Sequence, residues 1–171
     1  MPQIVHRKQR IPWRALGFGF GGLAVVVLSA LAAVQVVAKA QYDVAVSQAD
    51  QLERSGNYAD EVSLLETYVN SNPMEKYQEP AAVKAASVAS AHKNYRAAYR
   101  MYVKAWVLEG QNPKLETVVG VAQSAAFIGD KSSARSFYEQ AINLLDGKSD
   151  DASVSKRNDY QNALTSLGGK P

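Results

Sequence analysis

The sequence has no cysteine and only two histidines, His6 and His92. The lack of cysteine excludes disulfide bonds, thiolate nucleophiles and cysteine-ligated metals, and it leaves the redox compartment undetermined. No His-x-x-x-His or Glu-x-x-His spacing is present, and no glycine-rich phosphate loop follows a strand-like segment. We therefore predict no catalytic residues, no cofactor and no metal ion, and we expect a protein that is not an enzyme.

Acidic residues are also absent from the first 14 positions, which contain Arg7, Lys8, Arg10 and Arg14. This segment alone carries a charge of +4, whereas the rest of the chain has 15 basic and 16 acidic residues. The formal net charge of +3 therefore comes from the segment before residue 15. A nearly neutral remainder lacks the basic surface that phosphate backbones require, so we predict no nucleic-acid partner.

Charge is missing again from the 24 residues between Ala15 and Ala38, which are almost all apolar. As an α-helix this run would be about 36 Å long, which exceeds the roughly 30 Å of a bilayer's hydrocarbon core. We therefore predict a single transmembrane signal anchor over residues 15–38, in contact with the lipid bilayer. Basic residues beside a membrane-spanning helix stay in the cytoplasm. Residues 1–14 are thus predicted to be a cytoplasmic tail, and the C-terminal domain is predicted to be extracytoplasmic.

Two features of this run leave alternatives open. Ala38 and Ala40 flank Lys39 in a small-x-small pattern, and cleavage after Ala40 would release the remainder as a secreted protein. The length of the run instead favours an uncleaved anchor, because the apolar core of a signal peptide spans about 7–15 residues. Gly17 and Gly21 lie four residues apart, which suits close packing against another membrane helix, although glycine is also common in such helices.

Downstream of Ala40 the pattern is that of an all-α protein. Apolar residues recur three and four positions apart, alanine is frequent, and the alternation typical of strands is absent. Glycine, asparagine and proline separate the segments, and a polar loop is predicted between Pro73 and Pro80. The anchor helix is predicted to continue to about Arg54, and further helices to cover 58–71, 80–92, 94–109, 113–128, 131–145 and 152–167.

These predicted helices form a repeat. The turn sequences at 55–58, 92–95 and 128–131 are separated by 37 and 36 residues, a period typical of solenoids built from helical hairpins. The helix after each turn carries small and aromatic residues at matching offsets, which are Ala98, Tyr102 and Ala105 in the second repeat and Ala134, Tyr138 and Ala141 in the third. The first repeat has Glu61, Leu65 and Tyr68 there, so Glu61 departs from the pattern.

These turns and offsets, together with Pro73, resemble the tetratricopeptide repeat (TPR) family, with about three degenerate repeats over residues 42–146. The resemblance implies antiparallel helix pairs that stack into a right-handed superhelix with a concave groove; Lys93 replaces the family's turn glycine. We therefore predict an all-α fold, in which one transmembrane helix precedes a short α-solenoid over residues 40–146. Residues 147–171 are predicted to form a capping helix and a flexible tail, with Tyr160, Ala163, Leu164 and Leu167 covering the stack.

The resemblance also implies where a protein partner would bind. The first helices of the pairs line the groove, which places there Asp43, Asp50, Glu53, Ser87, Ser90, Gln123 and Phe127. A second candidate surface is the basic row of Arg96, Arg100 and Lys104, a pattern that is also typical of a solvated outer face. The aromatic row on the same helix is interpreted either as a binding surface or as core between repeats, and it comprises Tyr95, Tyr99, Tyr102 and Trp106.

These features together favour a membrane-anchored adaptor or assembly subunit of a cell-envelope complex, which binds protein partners through its helical groove. One alternative is an integral subunit of a membrane complex, held by helix packing through Gly17 and Gly21. The other is a secreted soluble binding protein, released by cleavage near Ala40.

Overall fold

The computed structural model describes residues 13–72 and 74–168, with side chains from residue 29 onward in these ranges. In that part the chain is entirely α-helical, with seven helices and no strand. The helices are α1 (Trp13–Arg54), α2 (Tyr58–Ser71), α3 (Glu75–Ala91), α4 (Tyr95–Glu109), α5 (Leu115–Phe127), α6 (Lys131–Asn143) and α7 (Asp151–Ser166). The all-α prediction is confirmed, and the succession of hairpins is consistent with an α-solenoid.

The chain divides into two units, Met1–Val37 and Ala38–Pro171, of which the second contains the hairpins. Three parts of the predictions lie outside the described part: residues 1–12 of the tail predicted over 1–14, the side chains of residues 13–28 with Gly17 and Gly21, and residues 169–171. Among the residues that are described, no helix combines the length and the apolar character needed to cross a membrane. In the second half of the apolar run, the side chains of Leu31 and Val36 are more than half exposed.

Helix α3 begins five residues earlier than predicted. The sequence predicts a loop up to Pro80, but the helix starts at Glu75 and contains Pro80 in its second turn. The helix is already under way before the proline, since the N–H of Tyr77 donates to the carbonyl of Met74 at 3.0 Å. A proline this close to a helix start removes a single backbone hydrogen bond. The prediction of a polar loop here is therefore wrong.

The three hairpins share one turn geometry. Gly56, Lys93 and Gly129 hold the same place in successive turns, and all three have a positive φ, at 76°, 61° and 84°. The residue that follows each of them donates its N–H to the carbonyl five positions back, which gives the pairs Asn57–Leu52 at 2.9 Å, Asn94–Ala89 at 2.8 Å and Asp130–Ala125 at 2.9 Å. This is a helix C-cap of the Schellman type, in which one residue after the helix adopts the left-handed backbone conformation. The repeat read from the sequence therefore has a structural counterpart.

Small residues let the helices of the second unit approach closely. Helix α3 packs against α2 and α4, and it supplies five alanines with at most 1% exposure, Ala81, Ala82, Ala85, Ala86 and Ala89. Tyr102 of α4 packs over Gly120 of α5, where an added Cβ would lie 2.6 Å from the tyrosine ring. Only glycine leaves room for the ring at that point, since contacts below about 3 Å require the neighbour to shift.

The aromatic row of α4 mostly packs between repeats. Tyr102 is buried, Trp106 meets Phe137 of α6 edge-on with ring centroids 5.3 Å apart, and Tyr95 stacks on Phe127 of α5 at 4.1 Å. These contacts join α4 to the following hairpin. The core interpretation of this row is therefore the one that the packing supports.

Helix α7 covers the end of the stack. Leu164 is buried in a cluster with Tyr138 and Ala122, and the partly buried residues around it include Tyr160, Ala163 and Leu167. Asp150 caps the helix, because its carboxylate accepts the backbone N–H of Ser153 at 2.9 Å. A helix is therefore present where the capping helix is predicted, with the predicted residues at its buried face.

Candidate functional site

A cleft of about 450 Å³ lies along α1, α3 and the start of α5, and we call it the Lys84 cleft. The charged and polar residues that line it are Glu53 of α1, Glu79, Lys84 and Ser87 of α3, and Lys114 and Glu116 at the start of α5. These are the first helices of three successive hairpins. The cleft therefore lies along the helices to which the family resemblance assigns a groove.

Lys84 is the centre of this cleft. Its Nζ lies 2.6 Å from Oδ1 of Asp50, 3.7 Å from Oε2 of Glu53 and 3.7 Å from Oε1 of Glu61. Burial lowers the pKa of Lys84, but the hydrogen bond that Lys84 donates to Asp50 and the nearby carboxylates outweigh it and raise the pKa above its usual value. The same hydrogen bond holds the pKa of Asp50 below its usual range. Lys84 is therefore a fixed cation surrounded by anionic groups.

Glu61 lies beneath Lys84 with no exposed surface at all. Neither oxygen of its carboxylate has a hydrogen-bond partner among the described residues. Burial raises the pKa of Glu61, the Lys84 ammonium opposes that shift, and the charges of Glu53 and Asp50 add to it. Buried carboxylates without hydrogen bonds are costly in a fold, so this one marks the site as unusual.

A second ion pair lies at the other end of the cleft, where Lys114 Nζ is 2.7 Å from Oε1 of Glu79. Beyond it, Glu116 also lines a neighbouring cleft of about 530 Å³, together with Tyr102, Gln123, Lys156 and Tyr160. Burial raises the pKa of Tyr102, and the charge of Glu116 raises it further. Glu116 is therefore an exposed carboxylate shared by both clefts.

The predicted groove residues do not all lie together. Glu53 and Ser87 line the Lys84 cleft, Asp50 pairs with Lys84 itself, and Gln123 lines the neighbouring cleft. Asp43 is exposed and forms an ion pair with Lys39 at 2.6 Å. Ser90 is half-buried and lines neither of these clefts. Phe127 stacks on Tyr95, remains largely exposed and also lines neither cleft.

The basic row predicted as a second surface lies on α4, which contributes no residue to the Lys84 cleft. Arg100 there donates to both carboxylate oxygens of Glu66 on α2, at 3.2 and 3.1 Å. Arg96 is exposed and Lys104 is half-buried. Arg100 therefore connects the second helices of two successive hairpins, α2 and α4, through this ion pair.

Several charged residues of the cleft were not predicted as site residues, and Lys84 is the central one. Its signal was available, because Lys84 is the only charged residue between Pro80 and Ala91. Glu61 also carried a signal, since it interrupts the small residues of the repeat, but it was interpreted only as a poorer match. Glu61 and Lys84 lie on different helices, so their closeness in space cannot be predicted from their spacing in the sequence.

The described residues contain no group of three or more histidine, cysteine or acidic side chains placed to hold a metal ion. The ring of His92 stacks on that of Tyr58, with centroids 3.4 Å apart. No protein-family model matches the chain, and no curated protein is similar to it.

Proposed function

We propose that this chain is a membrane-anchored, non-enzymatic interaction module of the tetratricopeptide type. Its stacked hairpins would act on the extracytoplasmic face as an adaptor or assembly subunit of a cell-envelope complex. The single observation that carries the proposal is the Lys84 cleft, which runs across the first helices of successive hairpins and exposes charged side chains. Such concave surfaces are what helical solenoids use to bind partners.

The repeated turn supports the family assignment within this proposal. Lys93 replaces the family's turn glycine, yet it adopts the same left-handed backbone as Gly56 and Gly129. The hairpins are also joined by packing, since from α2 to α7 each helix packs on the next. A solenoid needs about three repeats to bury its core, and this chain has three helix pairs and a capping helix.

The membrane anchor rests on the sequence of residues 15–38. The apolar run has the length for a bilayer, and a basic segment precedes it. Leu31, Val34, Val36 and Val37 each have half or more of their surface exposed, which suits a lipid environment. Alkaline extraction of membranes from producing cells, followed by protease protection, tests this part. We expect the full-length chain in the membrane pellet, with the C-terminal domain outside the cytoplasm.

Binding at the cleft is tested by photocrosslinking in intact cells. The photoreactive residue p-benzoylphenylalanine replaces Ser87, which is exposed and lines the cleft. The matched control carries it at Ser63, an exposed serine of α2 that does not line the cleft. We expect a discrete protein crosslink from Ser87 and none of that mass from Ser63. Equal crosslinking from both positions, or none from Ser87, would overturn the proposed role of the cleft.

A further inference from the structure

We propose that the Lys84 cleft recognises a protein segment by a lysine or arginine side chain, which pairs with the exposed carboxylates of Glu53 and Glu116. This inference rests on the proposed function and adds the chemistry of the partner. It is carried by the balance of charge in the cleft, by the exposure of these two carboxylates and by the buried carboxylate of Glu61.

The cleft holds more carboxylates than ammonium groups. Lys84 makes its short contact with Asp50 at 2.6 Å, and Lys114 makes its own with Glu79 at 2.7 Å. Glu53 is left 3.7 Å from a lysine that already has a closer partner. A cation that enters beside it would therefore find a carboxylate whose charge is only partly compensated.

The surplus carboxylates are also accessible. The side chain of Glu53 is 54% exposed, and Glu116, at the start of α5, is exposed as well. Both line the same cleft, so both border the space that an entering side chain would occupy. Ion pairs at such partly exposed sites contribute direction and selectivity, while apolar contacts supply much of the affinity. Val83 and Val88 add apolar surface to the lining of the cleft.

Glu61 reinforces the preference for a cation. Its carboxylate lies 3.7 Å from Lys84 and is fully buried, with both oxygens lacking a hydrogen bond. When it is ionised, a carboxylate held away from water acts over a longer range than one at the surface. Lys84 faces Asp50, Glu53 and Glu61 at once. A carboxylate of a partner would therefore have to compete with these three groups, which disfavours an acidic segment or a chain terminus.

The experiment measures how charge in the cleft affects capture by the photoreactive residue at position 87. The variant carries Glu53→Gln together with Glu116→Gln in the full-length chain, and the matched control carries Asp60→Asn together with Glu66→Gln on α2. Both pairs remove two negative charges. Because two partly exposed ion pairs are lost, we expect about tenfold less crosslinking in the cleft variant and little change in the control. Thermal unfolding followed by circular dichroism checks that both variants remain folded.

Mass spectrometry of the crosslinked peptide then identifies the captured segment. A synthetic copy of that segment binds the full-length chain in a fluorescence anisotropy titration, and its basic residue is replaced by citrulline for arginine or norleucine for lysine. We expect about tenfold weaker binding for the uncharged peptide. A captured segment without lysine or arginine, or one that binds equally well without the charge, overturns this inference while the binding role of the cleft stands. If the chain with p-benzoylphenylalanine at position 87 and no charge substitution gives no crosslink specific to that position, both this inference and the proposed binding role of the cleft are overturned.

Discussion

Glu61 occupies a position that is alanine in the other two repeats, at Ala98 and Ala134, and all three residues are fully buried. A buried carboxylate is costly unless a cation offsets the loss of hydration. Lys84 supplies that cation from α3, and Asp50 holds Lys84 from α1. The buried carboxylate of Glu61 is thus compensated by Lys84, and the contacts of Lys84 with Glu61 and Asp50 connect α1, α2 and α3.

The pKa of Glu61 gives a prediction for the pH dependence of stability. Since burial raises the folded pKa above its usual value of 4.5, folding favours the protonated form. The contribution of Glu61 to the free energy of unfolding is fully present below the pKa that this residue has in the unfolded chain. It is lost as pH rises through the raised pKa in the folded chain. Glu61→Gln, which stays neutral, removes this dependence.

We therefore expect the free energy of unfolding of the unmodified chain to fall relative to that of Glu61→Gln as pH rises from about 4.5. Urea unfolding at a series of pH values measures the difference, and groups such as Asp50 that titrate in both proteins largely cancel. Parallel pH profiles for the two proteins would contradict the burial of a titrating carboxylate at this position.

Each hairpin depends on a turn in which one residue adopts a left-handed backbone. Glycine fills that place at Gly56 and Gly129, whereas Lys93 adopts a φ of 61°. Side chains other than glycine pay a steric cost of about 1–2 kcal/mol in this region. The packing of α3 against α4 therefore stabilises the second turn in spite of the steric cost at Lys93.

Replacing Lys93 by glycine is expected to stabilise the fold by about 1 kcal/mol, because the steric strain at φ 61° is removed. The reciprocal control, Gly129→Ala, introduces that strain in the third turn and is expected to destabilise the fold by a similar amount. Urea unfolding of the full-length chain measures both changes. If Lys93→Gly lowered stability, the left-handed backbone at this turn would not be what limits it.

Across the whole second unit, each helix packs mainly on its neighbours in sequence, from α2 on α3 through to α6 on α7. In such a quasi-one-dimensional stack, the central elements are supported on both sides and the terminal ones on a single side. Stability is therefore graded along the stack, and its lowest value is expected at the end that α7 covers.

Amide hydrogen exchange should show this gradient. We expect the slowest exchange in α3 and α4, whose faces are covered by helices on both sides, and faster exchange in α7, which packs chiefly on α6. Mass spectrometry of peptides from the exchanged full-length chain provides the measurement. Equal protection of α4 and α7 would mean that the hairpins unfold as one unit instead of by nearest-neighbour opening.

Sequence alone predicted the helices and turns well because both are local. The predicted helices at 58–71 and 131–145 correspond closely to Tyr58–Ser71 and Lys131–Asn143. Pro80 misled the prediction, because proline is an ordinary breaker in a helix interior but is tolerated in an early turn. What propensity could not show was that the chain before Pro80 already has helical hydrogen bonds, from Tyr77 to Met74.

The candidate site was only partly predictable. Asp50, Glu53 and Ser87 were predicted as groove residues from the family resemblance, and they lie in or beside the Lys84 cleft. Lys84 and Glu61 were not, although each stands out in its own segment, because only the packing of α3 on α2 brings the two within 3.7 Å of each other. Their partnership joins positions 23 residues apart on different helices, and helical periodicity carries no information about such pairs.

The amino-acid sequence by itself determined the period of the hairpins, the helical class and the apolar run ahead of them, since each depends on residues that are neighbours along the chain. Tertiary structure decided which charges meet. It placed three carboxylates around Lys84 and left Glu61 with no exposed surface. Electrostatic interactions depend on distance and on burial, and both are fixed only when separate helices pack.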